Sequence, residues 1–250
     1  DVYKRQGLCY TAEQLQKLAV VLRRYRVLAL SDEIYSGTHF TGEHVSLARY
    51  YPEGTIISNG LSKWCGAGGW RLGFFVFPKG LSWLANAMAA VASETFTSTS
   101  APIQYAAVTA LEDRPEMREY MLHSRQILAA LAGHAHGTLA DAGATLSRPT
   151  GGFYLFPRFE AHRPGMAARG IEDGQGFCQR LLDETGVAAL SGDCFGRPHR
   201  ELSTRLAIVD FDGAQALQHA QSETVDERFV KRHCNQVTTA IERLAEWAGN

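Results

Sequence analysis

Nowhere does the sequence run to about 18 consecutive apolar residues, so it offers no helical membrane span. Nor is there an excess of charge of either sign. Lys and Arg number 25 against 26 Asp and Glu, a formal net charge of −1, which gives bulk electrostatics no reason to draw the chain to nucleic acid or anionic lipid. Cysteines are few: Cys9, Cys65, Cys178, Cys194 and Cys234 are odd in number, widely spread and without a Cys-x-x-Cys pair. That argues against a disulfide framework or a zinc ribbon and fits a reduced, cytoplasmic setting. The opening residues, Asp1-Val2-Tyr3-Lys4-Arg5-Gln6, hold neither an initiator Met nor the apolar core of a secretory signal. Internal repeats and low-complexity tracts are absent as well.

What remains is an ordinary globular composition, 45% apolar and 20% charged, in a length of 250 residues that suits one large or two medium domains. Within it residues 58–73 stand out. Lys63 sits between small polar residues and a loop containing Gly66, Gly68, Gly69 and Gly73, a pattern that brings backbone close to something or turns it sharply. Arg71 adds a planar, permanently charged fork suited to a phosphate or carboxylate. Residues 72–77 are apolar on both faces and predict a strand within a buried sheet. A lysine on a loop rooted there is a candidate for amine chemistry.

Along the chain, Thr11 and Gln14 make a capping-box pattern. Leu15, Leu18, Ala19 and Leu22 at helical spacing then predict an amphipathic helix over residues 11–25. Residues 27–30 predict a short buried strand that runs into Ser31-Asp32-Glu33-Ile34-Tyr35. Helix followed by strand is half of a βαβ unit, and α/β sheets place ligands at strand C-terminal ends, where Asp32 and Tyr35 fall. Residues 55–58 predict a second strand that delivers the Lys63 loop to the same edge. Helical spacing resumes over Leu81, Leu84, Met88 and Val91, and Ala101-Pro102 starts another helix. A long helix over residues 114–142 bridges to a region of different texture. There, strands are predicted at 144–147, 153–156, 187–190 and 204–209, a loop over 163–176, and helices over 177–184 and 226–247, the mixture of a small α+β domain.

Asp32, Tyr35, Lys63 and Arg71 together suit pyridoxal phosphate chemistry. An amine meets the cofactor aldehyde, a carboxylate the pyridine nitrogen, a phenol the ring oxygen and a guanidinium the phosphate. At these residues the sequence resembles the class I/II aminotransferases of fold type I. Ser31-Asp32-Glu33-Ile34-Tyr35 is similar to that family's nitrogen-binding motif. Ser62-Lys63 with Gly69-Trp70-Arg71-Leu72-Gly73 is similar to its Schiff-base and phosphate motif. Gly151-Gly152-Phe153-Tyr154-Leu155-Phe156-Pro157 resembles a strand of its small domain, and Ser203-Thr204-Arg205-Leu206-Ala207 the segment whose arginine clamps the substrate α-carboxylate. The resemblance runs in order from about Gly7 to the C-terminus.

It implies an α/β chain: a fold-type-I PLP-transferase large domain with an incomplete sheet over residues 1–130, then a small α+β C-terminal domain over 131–250. Lys63 is then the Schiff-base lysine and general base, with Asp32, Tyr35 and Arg71 holding the cofactor and Arg205 the substrate carboxylate. The implied activity is transfer of an amino group between an L-amino acid and a 2-oxo acid by a ping-pong route, in a cytoplasmic homodimer with no nucleic-acid or membrane partner. A lyase or cyclising synthase using the same cofactor keeps all five residues and stays open. So does the aminotransferase-like effector domain of a winged-helix regulator, which adds a basic helix-turn-helix region upstream.

Two departures accompany the resemblance. Gly60 stands where the family often carries a phosphate-binding serine. Residues 2–6 do not match the Asn-Pro-x-Gly motif expected to end at Gly7, and the first strands, the cofactor-stacking aromatic and the first phosphate loop are missing. The expectation is a C-terminal fragment whose first six residues are foreign.

Other features read as structural, and no metal-ligating set is expected. His134 and His136, two apart on a helix, point to different faces. Gly66-x-Gly68 fails the dinucleotide pattern because Arg71 replaces its third glycine. Asp210-Phe211-Asp212-Gly213 lacks the further oxygens of a calcium loop. Cys65 reads as a small buried thiol, and Trp64 and Trp70 as packing around the loop. Arg205 either points inward toward an anion or outward from an edge strand.

Overall fold

In a computed structural model, which describes residues 7–249, the capping box at Thr11 is complete. Thr11 Oγ1 accepts the Gln14 N–H at 3.2 Å, and Gln14 Oε1 accepts the Thr11 N–H at 2.9 Å. It starts helix α1, Ala12–Tyr25, which stops where Arg26 turns left-handed. Leu15 and Ala19 bury against Leu47 and Tyr51, so the apolar stripe seen in the sequence is the packed face. The reading of residues 1–6 as foreign lies outside the described residues. Two compact units are formed, residues 10–121 and residues 7–9 with 122–249.

The first unit holds a three-stranded sheet of β1 (Ala29–Asp32), β2 (Thr55–Gly60) and β3 (Gly73–Val76), in that order. β1 and β2 are parallel, with Ala29 opposite Thr55 and Asp32 opposite Ser58. β3 returns antiparallel, with Gly60 opposite Gly73. Helices α2 (Ser82–Thr95) and α3 (Ala101–Leu111) follow, Pro102 lying in the first turn of α3 as expected. Helix α4, Pro115–Asp141, runs through the division between the units.

The buried sheet expected around residues 72–77 is corrected. Phe75 and Val76, on opposite faces of β3, are 47% and 50% exposed, so neither face is fully covered there, and β3 is an outer strand with one partner among the described residues. Val27 and Leu28 lie ahead of β1 and are half exposed. An apolar run predicts a strand but cannot say which layers will cover it.

The second unit contains, in chain order, β4 (Tyr154–Leu155), α5 (Arg163–Ala168), α6 (Gly174–Thr185), β5 (Leu190–Ser191), β6 (Thr204–Ala207), α7 (Gly213–Ala220), α8 (Glu227–His233) and α9 (Asn235–Gly249). Its sheet is antiparallel in the order β4-β6-β5. Several sequence expectations shift here. The loop over 163–176 contains α5, and Asp173 caps α6 by accepting the Gly176 N–H at 2.8 Å. Asp212, weighed only as a calcium ligand, caps α7 in the same way through the Gln215 N–H at 3.0 Å. Residues 144–147 contribute only an isolated bridge between Thr145 and Arg158. The closing helix is two helices meeting at Cys234. That buried residue keeps its N–H on the Val230 carbonyl while its own carbonyl receives Val237 and Thr238. The break lets Phe229 and Val230 bury on one segment and Val237, Ile241 and Leu244 on the next.

Phe177 is fully buried at the centre of this unit, stacked on Phe159 at 4.9 Å and edge-on to Trp247 at 5.0 Å between ring centres. Trp247 is fixed in turn by polar contacts. Its indole N–H donates to Glu184 at 2.6 Å, the Arg169 guanidinium lies 4.3 Å over its ring, and Arg169 and Arg180 both donate to Glu184. The indole hydrogen bond leads, with the two arginines, in holding the Glu184 carboxyl down at about 2. A depressed carboxyl stabilises the fold above its unfolded pKa and ceases to do so as pH falls through the folded value. Wild-type chain is therefore expected to resist urea better than Glu184→Gln at neutral pH, the two converging between about pH 4.5 and 2. Urea midpoints measured against pH check this; a gap that persists undiminished at pH 2 contradicts it.

Candidate active site

Asp32 is the last residue of β1, and the chain continues directly from the strand ladder: the Glu33 N–H donates to the Ser58 carbonyl of β2 at 2.8 Å. The next turn is pinned from beneath by Glu33. Its side chain is 8% exposed and accepts from Ser31 Oγ at 2.9 Å and Ser46 Oγ at 2.6 Å, with His44 Nε2 at 2.9 Å. Burial alone would raise the Glu33 pKa, but the hydrogen bonds from His44, Ser46 and Ser31 prevail and hold it below its ordinary value. A buried anion thus clamps the segment bearing Asp32 and Tyr35 to the loop around residue 45. Sequence reasoning missed Glu33, because its partners lie up to 13 residues downstream.

Tyr35 opens a short helical turn, Ser36–Thr38, and is half-buried. Gly37 lies under Trp64, where a Cβ would come within 2.6 Å of the Trp64 Cβ. The missing side chain lets the Lys63 loop close against this turn. Lys63 Nζ lies 6.0 Å from the centre of the Tyr35 ring. The β1–β2 register places Asp32 and the start of the Lys63 loop at the same end of a parallel strand pair, where α/β sheets carry their ligand sites.

The loop after β2 folds on itself: the Leu61 N–H donates to the Leu72 carbonyl, Ala67 to Leu61 and Gly66 to Lys63, each at 3.2 Å. Leu61, Ala67 and Leu72 bury against Ala107 beneath it, with Trp64 and Cys65 packed alongside. Burial pushes the Cys65 thiol pKa up, in keeping with a packed thiol. Trp70 does not pack as expected and is 50% exposed. Gly60, the departure from the serine pattern, has a steric cause. A Cβ there would stand 2.6 Å from the Leu72 carbonyl oxygen and 3.0 Å from the Gly73 Cα.

Arg71 closes the loop at φ 55°, a left-handed conformation that costs a non-glycine residue about 1–2 kcal/mol. Its guanidinium is on the surface and donates from Nη1 to the Gly68 carbonyl at 2.8 Å.

Arg205 belongs to the second unit. It lies on β6, the central strand, so the reading of an outward arginine on an edge strand fails. Its guanidinium packs against two rings, 4.4 Å from the centre of Tyr154 and 4.5 Å from that of Phe195. Its Nε is buried with no hydrogen-bond partner. A cation packed on aromatic rings with a buried donor left over is suited to an anion. Tyr154 was visible in its motif; Phe195, ten residues before Arg205 on another element, was not.

The chain matches the family model for aminotransferase class I and II over residues 5–215. It is 36% identical to an aspartate aminotransferase of Geobacillus stearothermophilus, over 77% of this chain and 48% of that protein. With an aspartate aminotransferase of Bacillus subtilis the identity is 30%, over 91% of this chain and 55% of the relative. Among solved structures, a Thermus thermophilus aspartate aminotransferase double mutant superposes with a TM-score of 0.75 at 26% identity, covering 96% of this chain and 53% of that one. An aromatic aminotransferase from Pyrococcus horikoshii does so with a TM-score of 0.75 at 25% identity, over 96% and 56%. The chain spans about half the length of the curated relatives it matches.

Proposed function

The chain belongs to the class I and II aminotransferases, and from that membership we propose that the whole protein moves an amino group between an L-amino acid and a 2-oxo acid by a ping-pong route. Members of this family work with pyridoxal phosphate. The observation that supports the reading is that Asp32 ends β1 opposite Ser58 of β2, while Lys63 Nζ, on the loop after β2, lies 6.0 Å from the centre of the Tyr35 ring. The donor set fits the cofactor: a carboxylate for its ring nitrogen, a phenol for its ring oxygen, an amine for its aldehyde carbon and a guanidinium for its phosphate. When bound, the cofactor supplies the electron sink that lets bonds at a substrate Cα break.

Lys63 would hold the aldehyde carbon covalently and, once substrate displaces it, carry a proton between the substrate Cα and that carbon. Asp32 would keep the ring nitrogen protonated through charge pairing. Tyr35 would donate its hydroxyl to the ring oxygen, and Arg71 would grip the phosphate with its fork. Arg205, packed against two rings, would take the substrate α-carboxylate. The names of the relatives make aspartate the first amino donor to assay.

A homodimer, a cytoplasmic location, and a cofactor-binding part to about residue 130 followed by a smaller domain complete the proposal. Among the described residues no helix is long and apolar enough to cross a membrane. Exposed Leu30, Phe75, Val76, Trp83 and Tyr105 supply apolar surface that further protein would cover. Borohydride reduction of the full-length protein in the presence of pyridoxal phosphate, followed by peptide mapping, is expected to place the label on Lys63. A label on any other lysine overturns the assignment.

A further inference from the structure

Away from these residues, the second unit gathers two imidazoles and a carboxylate that the aminotransferase reading does not use. His219 lies in the last turn of α7, and Glu223 follows four residues on, its N–H bonded to the His219 carbonyl at 2.9 Å. His233 ends α8. The Glu223 carboxylate sits between the rings, Oε1 at 3.0 Å from His219 Nδ1 and Oε2 at 3.5 Å from His233 Nε2. One ligand atom from each of the three residues lies within 4.8 Å of the other two. The two rings stack at 4.2 Å with 23° between their planes.

His233 is the telling member. Its side chain is 8% exposed, yet apart from the long 3.5 Å approach of Glu223 Oε2 its Nε2 makes no well-formed hydrogen bond. A buried ring nitrogen left unsatisfied is unfavourable unless something else completes it. Glu223 is shared with Arg232, whose Nη1 is 3.2 Å from Oε2; that arginine is 65% exposed and can swing into solvent.

We propose that His219, Glu223 and His233 bind one divalent transition-metal ion, zinc by preference. Two imidazoles and a carboxylate are a donor set that zinc, nickel and copper accept, and a tetrahedron completed by solvent is the geometry that suits zinc. Donor atoms on a tetrahedron with bonds of about 2.0–2.1 Å stand about 3.3 Å apart, a spacing within the range of this cluster. The near-parallel rings must turn about their Cβ–Cγ bonds to aim both lone pairs at one point, and His219, 40% exposed, has room to turn. The ion would staple the end of α7 to the end of α8. By contrast, His199 meets Asp193 and Asp173 through opposite ring nitrogens, at 3.1 and 3.2 Å, and cannot bring all three to a single ion.

Calorimetric titration of metal-free full-length protein with zinc tests the site, with cobalt(II) absorption reporting the ligand field. One ion per chain is expected, together with a rise in the thermal midpoint. His219→Ala and Glu223→Gln, both at partly exposed positions, should each lower affinity by about 100-fold or more, since even losses outside the ligand set cost 10- to 100-fold. His199→Ala should bind zinc like wild type. The proposal is overturned if wild type takes up no stoichiometric zinc, or if both ligand variants bind it as wild type does.

Discussion

Full-length protein carrying Lys63→Ala is expected to lose transamination while keeping its fold. Losing a positioned acid–base group alone removes about 10²–10⁴-fold in rate, and this side chain would also hold the cofactor covalently. The loss should fall on kcat, because the carboxylate contact proposed for Arg205 is untouched. Lys63 sits half-buried on a loop whose buried contacts come from Leu61, Ala67 and Leu72, so its truncation leaves the packing in place. Stability should change within about 0.5 kcal/mol, as for substitutions away from core contacts. Steady-state rates with aspartate and a 2-oxo acid acceptor, beside a thermal melt of the same preparation, separate the two effects. An alanine variant that keeps a tenth of the wild-type kcat contradicts the role given to this amine.

A second large effect is expected at Arg205. Truncating one partner of a desolvated, hydrogen-bonded charge pair costs about 2–5 kcal/mol, which is about 30- to 5,000-fold in kcat/KM at 1.36 kcal/mol per tenfold. Arg205→Ala should fall in that range with amino-acid substrates. Arg205→Lys should fall less far, keeping the charge while losing the planar fork that packs against Tyr154 and Phe195. The discriminating substrate is an amine without the α-carboxylate, for which wild type and Arg205→Ala should differ little. An equal penalty on both substrates means that the arginine supports the β-sheet and leaves the carboxylate to another group.

Much of this was legible because it is local in sequence. The capping box at Thr11 and Gln14, the 3.6-residue stripe behind it, and the Asp32 and Lys63 motifs all lie within a few positions of what they determine. What escaped depends on distant partners. Glu33 looks like one more surface acid until His44 and Ser46 fold over it, and Phe195 meets Arg205 only when β6 packs in the middle of its sheet. Asp173 and Asp212 carried cap signals that were weighed for other roles or passed over. The break at Cys234 has no proline or glycine to announce it, since tertiary burial and not backbone preference divides the helix. β4 falls inside the strand expected at 153–156, whereas β5 only overlaps the end of the one expected at 187–190, because strands of two residues are too short to show a period that fixes their ends. The metal-binding trio was hidden for the same reason as Glu33: His233 joins the other two only through the packing of α8.

The rung that joins Gly60 to Gly73 also limits which ancestors and descendants this sequence can have. No methyl group fits at position 60 while the Leu72 carbonyl stays where it is, so a hydroxyl cannot be recruited there by a single replacement. Any lineage that gains one must also shift the neighbouring backbone, and under the role proposed for Arg71 the phosphoryl oxygens would be held without a side-chain hydroxyl from position 60.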